Sequence, residues 1–140
     1  MSAASAMAEI LPVAVRDANE NDWPFITDSW EKSLVHNQRA RPSRGWYDRL
    51  HLRIARLRER GATFKVAFNP RDPGQILGWV CYELPVVHYV FVKQYFRENG
   101  VARQLLASFA PYQTVLCSEW TPVLNKISKT HSFIRKVLPC

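Results

Sequence analysis

Residues 86–106, VVHYVFVKQYFRENGVARQLL, set a run of β-branched and aromatic side chains directly before a polar loop with a single glycine, and a helical pattern follows at once. Val86 to Val92 read as a strand, and Val101, Leu105 and Leu106 recur at the spacing of a short helix. A strand that passes to a helix through Gly100 leaves first-turn amides without intrahelical acceptors, and the aligned peptide dipoles add positive potential there. That corner suits an anion such as a diphosphate. Arg97 and Arg103, on either side of Gly100, add complementary charge. The competing reading is an ordinary β–α turn, and the flanking elements decide between the two.

Residues 13–18, VAVRDA, alternate as a strand. Asp22 is placed to cap a helix in which Trp23, Ile26, Trp30 and Leu34 recur, with Pro24 tolerated in the first turn, ending near His36. NQRARPSRG is a loop. A second helix runs from Trp46, with apolar positions 46, 50, 54 and 57, to the stop at Gly61. Strands follow at 62–69 and 76–84, joined by PRDPG, and Pro85 separates the second of them from 86–92. The helix after Gly100 ends around Pro111, residues 113–120 form a further strand, and Thr121-Pro122 opens a helix through Leu124 and Ile127. FIRKVL is left as a last strand. The expected order is β-α-α-β-β-β-α-β-α with a short carboxyl end: one α/β domain with a mixed sheet over 13–140, behind a loose lead-in at 1–12.

Several classes are excluded. No apolar run approaches the roughly 20 residues a membrane span needs. The amino end lacks the basic and apolar regions of a secretory signal. Cys81 and Cys117 lie in apolar strand-like segments, and with Cys140 they make an odd number, which fits a reducing cytoplasm. His36, His51, His88 and His131 show no metal-ligand spacing, so no metal is expected. The net charge of +7 is concentrated at 37–60, where eight arginines face only Asp48 and Glu59.

The motif and the element order together resemble the GNAT superfamily of acyl-CoA-dependent N-acyltransferases, whose Arg/Gln-x-x-Gly-x-Gly/Ala hallmark is matched by Arg97, Gly100 and Ala102. The resemblance runs from about Val13 to Asn125. It implies an acetyltransferase in which acetyl-CoA donates an acetyl group to an amine. The cofactor diphosphate would lie on Arg97, Glu98, Asn99, Gly100, Val101, Ala102 and Arg103, the pantetheine arm would pair near Phe91 and Val92 where the fourth strand splays from the fifth, and Asn125 joins the cofactor set. His88 and Glu83 are the ionisable groups at the depth of the family's general base. Each also has a plainer reading, as a satisfied strand histidine and a solvated strand-end carboxylate. Tyr82 and Tyr89 read as packing groups.

Departures from the family pattern are visible. Residues 121–135 hold no tyrosine to protonate the departing thiolate, Phe133 stands near its place, and His131 or Ser132 could substitute. The usual closing hairpin has no room, unless a second copy of the chain supplies it. The resemblance sets the first two helices on the acceptor side. Arg39 to Arg60 then suggest an acidic or phosphate-bearing acceptor, and a non-catalytic module binding nucleic acid or an acidic protein is the alternative. A solvated arginine face is the plainest account of the same residues.

Overall fold

The computed structural model describes residues 12–36, 42–96, 100–109, 114–117 and 132–135. Its elements are β1 (Ala14–Asp17), α1 (Trp23–His36), α2 (Arg44–Glu59), β2 (Thr63–Asn69), β3 (Asp72–Glu83), β4 (Val86–Val92), α3 (Val101–Leu105), β5 (Thr114–Cys117) and β6 (Ser132–Arg135). The strands form one mixed sheet in chain order, antiparallel from β1 to β4 and parallel from β4 to β6. The α/β class and the element order expected from the sequence are present as far as β5. Residues 1–11, 97–99 and 118–131, with the helix expected from Thr121, lie outside the described residues. Beyond β5, the last strand expected at FIRKVL is present among the described residues as β6 and pairs parallel to β5.

Three boundaries differ from expectation for local reasons. Asp22 does not cap α1. A 3-10 turn (Glu20–Asp22) precedes the helix, Asn19 is its N-cap, and the Asp22 carboxylate accepts from the Asn19 amide at 2.7 Å in a capping box. Arg16 donates to the same carboxylate at 2.6 and 2.9 Å, which ties β1 to the entry of α1. β3 begins at Asp72 rather than 76. A register shift between Phe68↔Ile76 and Asn69↔Asp72 leaves Pro73 and Gly74 out of the ladder, which is how a strand accommodates them. Finally, α3 stops at Leu105, and a 3-10 turn (Ala107–Phe109) takes its place.

The sheet is covered on both faces. Ile26 and Trp30 of α1 and Leu50, Ile54 and Leu57 of α2 pack on Val66, Trp79, Cys81 and Tyr89. Val101 and Leu105 of α3 pack with Phe109 on Leu77, Val80, Val87 and Val90 on the other face. Within that core, Trp30 stacks on Tyr89 with centroids 5.2 Å apart, and the Tyr89 hydroxyl lies 2.6 Å from Ser33 Oγ. Tyr82 is also buried, so both tyrosines are packing groups.

Candidate active site

β4 carries one residue too many for its ladder. Tyr82 pairs with Val87 and Cys81 with Tyr89, so His88 is the extra residue of a bulge. The insertion resets the alternation of faces: Val87 and Val90 point to the α3 side, while Tyr89 and Phe91 point to the α1–α2 side. The parallel ladder to β5 holds Val86↔Leu116 and Val87↔Cys117 among the described residues, and β4 runs on to Val92.

His88 is 1% exposed, and its Nε2 lies 2.8 Å from Oε1 of Glu83. Glu83 closes β3 and its side chain remains 34% exposed. Arg60, at the C-cap of α2, donates to the same carboxylate through Nε at 3.1 and 3.2 Å and through a terminal nitrogen at 2.6 Å. The Arg60 guanidinium holds the Glu83 carboxyl below the usual carboxylate range, with the His88 hydrogen bond adding to the effect. Burial pushes the His88 imidazolium below the ordinary histidine value, against the opposing pull of Glu83. At neutral pH the carboxylate is ionised and can only accept, so Nε2 carries the proton and Nδ1 is the basic nitrogen.

The two catalytic candidates are thus brought together, with the accessible member being Glu83 rather than His88. Phe91 is half-buried beside Trp79, and Val92 is buried and pairs with Gly78. The Lys93 amide donates to Leu77 at 2.9 Å, so strand alternation turns the amide of Val92 toward the β5 edge. Gly100 has φ 78° and caps α3 without a side-chain hydrogen bond. Among the described residues, nothing lies within 4 Å of a Cβ built on it. Val101 anchors the turn in the core, Ala102 is half-buried and Arg103 is exposed. Arg97, Glu98, Asn99 and Asn125 lie outside the described residues, as does His131. No group of residues suited to a metal ion occurs among the described residues.

Two contributors escaped the sequence reading. Arg60 belongs to the arginine stripe of α2, but only the tertiary packing aims it at Glu83. Gly78 sits where a Cβ would collide with the Phe91 carbonyl oxygen; its signal is an isolated glycine inside a strand pattern.

No protein-family model and no curated protein sequence matches the chain. Solved structures do. A Pyrococcus furiosus protein assigned as an acetyl transferase aligns with a TM-score of 0.60 at 17% identity, over 91% of this chain and 97% of that one. AAC(6')-Iy, in complex with the bisubstrate analog CoA-S-monomethyl-acetylneamine, aligns at 0.53 and 15% identity over 89% and 92%. An acetyltransferase of the GNAT family from Staphylococcus aureus Mu50 aligns at 0.51 and 14% identity, over 70% of this chain and 64% of that protein.

Proposed function

On the GNAT fold that this chain shares with those structures, we propose an acyl-CoA-dependent N-acyltransferase that moves an acetyl group from acetyl-CoA to a primary amine by direct attack on the thioester. One observation carries the reading: the Arg60–Glu83–His88 chain joins the end of α2 to β3 and meets β4 at its bulge, which brings a carboxylate and an imidazole together on neighbouring strands.

The residues present fit the donor. Gly100, open on the side where a Cβ would stand, and the amides of Val101 and Ala102 would hold a diphosphate, with Arg103 nearby. Phe91 and Val92, at the end of β4, would line the pantetheine arm. Arg97, Glu98, Asn99 and Asn125 complete the proposed set. When bound, acetyl-CoA supplies an activated carbonyl.

The chain's own residues act on the amine. An ammonium must lose a proton before its nitrogen can attack. Glu83, ionised and partly exposed, attracts and orients that ammonium. His88 lies behind it and, because its Nε2 already donates to Glu83, takes up the amine's proton only at Nδ1, through a water. The pair takes up one proton, and the resulting charge rests on the imidazole, opposite the carboxylate it already touches. Holding the amine in place supplies much of the rate by removing translational freedom from the reaction step.

The test is thiol release from acetyl-CoA with a panel of amines. Glu83→Gln and His88→Gln should each lower kcat/KM by roughly 100-fold, the scale of a lost general base. Unchanged rates in both variants would remove the pair from the mechanism.

A further inference from the structure

We propose that the flank of α2 from Trp46 to Arg60 is a docking groove for an acidic peptide, held with one apolar side chain in the groove and its amine directed toward Glu83; the latter part rests on the acyltransferase reading. At 100° per residue, Trp46, Arg49, Arg53, Arg56 and Arg60 fall within roughly 80° of arc on one side of the helix. The stripe ends on the candidate site, because Arg60 grips Glu83. Midway along it, Arg53 lies 5.7 Å from the ring centroid of Trp30, which stacks on Tyr89, the residue after His88.

A cavity of about 450 Å³ opens along this stripe. Its apolar side is Leu34, Trp46 and Leu52, and its charged side is Arg49, Arg53 and Arg56. Leu52 is 50% exposed, an unusual residue to leave in water beside three guanidinium groups. The pairing selects among anions. Guanidinium groups suit carboxylates in a two-pronged geometry, and the leucines and tryptophan suit an aliphatic or aromatic side chain. A nucleic-acid backbone would satisfy the arginines, but it has no apolar side chain for the groove and would ask for a succession of stacking rings. From Arg49 to Arg60 the helix rises about 16 Å, the length of roughly five extended residues, so a short acidic segment spans from groove to carboxylate.

The experiment is anisotropy of a labelled short acidic peptide that contains one leucine and a free amino terminus. Three competitors are compared with it: the same peptide with serine for leucine, a basic peptide of equal length, and an RNA oligonucleotide. The acidic leucine peptide should bind best. Arg49→Glu combined with Arg56→Glu should weaken it by about tenfold or more, while the two lysine replacements, which keep the charge but lose the fork, should fall between. Both positions are exposed, and a thermal melt confirms that the double variant folds. Binding indifferent to charge reversal, equal binding of the basic peptide, or tighter arginine-dependent binding of RNA would overturn the proposal. The same samples titrated with acetyl-CoA separate the two readings. Peptide docking without any acetyl-CoA response supports the groove and counts against acyl transfer. An acetyl-CoA response without peptide preference sinks the groove alone.

Discussion

Oε1 of Glu83 stands 2.8 Å from Nε2 of His88, joining an accessible carboxylate to a buried imidazole across the β3–β4 turn. Arg60 grips the same carboxylate on both oxygens and shares Oε1 with His88, so the geometry of the pair is fixed before any substrate arrives. Fixed charges of this kind shift the acid limb of a rate profile in a predictable direction.

Both groups are held toward their basic forms: His88 by burial, and Glu83 by Arg60. The acid limb of kcat/KM should therefore fall below pH 6.5, the ordinary histidine value. Arg60 lowers both pKa values, so Arg60→Met should move the limb to higher pH. Glu83→Gln removes the one influence that raises His88, and any residual activity should titrate lower still. A pH–rate series on the three proteins reads these shifts, and an Arg60→Met limb moved to lower pH would contradict the assignment.

Stability should follow the same sign. His88 has a folded-state pKa below its unfolded value, so its contribution is complete above about pH 6.5 and is lost as pH falls toward the folded value. Melting temperature against pH should show this decline in the wild type. In His88→Gln the part of the decline nearest neutrality should be missing.

Gly78→Ala should cost about 2 kcal/mol, because the new methyl group would collide with the Phe91 carbonyl oxygen and β3 and β4 must part to admit it. Gly100→Ala meets no atom of the described residues within 4 Å, yet it must hold φ at 78°, at a cost of about 1 kcal/mol. Urea unfolding of the two variants compares steric with conformational cost. A neutral Gly78→Ala would show that the β3–β4 spacing is not as tight as described.

Asp22→Ala removes the acceptor for the Asn19 amide and the partner of Arg16 together. A loss of about 2 kcal/mol is expected, at the upper end for a helix cap because the carboxylate is also buried and ion-paired. Urea denaturation measures it. Asn19→Ala, which removes only the cap side chain, should cost less.

Much of this architecture was legible in the chain. Gly61 closes α2 as an ordinary helix stop, and the β-branched run 86–92 matches β4 at both ends, while α2 begins at Arg44, two residues before Trp46, because Ser43 caps it. Glu83 and His88 came from the resemblance, as the ionisable groups at the depth of the family's general base. What they do to each other was not legible, since a bulge decides which way His88 points and bulges leave little trace in side-chain alternation. The capping box at Asn19 was hidden by the more obvious Asp22, a residue that occupies the third position of that motif. α3 was read too long because Leu106 and Phe109 continue its apolar spacing, while its chain turns into a 3-10 helix with both residues still buried.

The central claim, that the turn at Gly100 and the edge of β4 at Val92 hold an acyl-CoA, is tested most directly by the melting temperature of the protein with acetyl-CoA added. Ligand at about 100 times its dissociation constant contributes about 2.7 kcal/mol, a clear upward shift for a chain of this size. The account predicts that shift in the wild type and its loss in Gly100→Trp. No shift at millimolar acetyl-CoA, or an equal shift in Gly100→Trp, would contradict it.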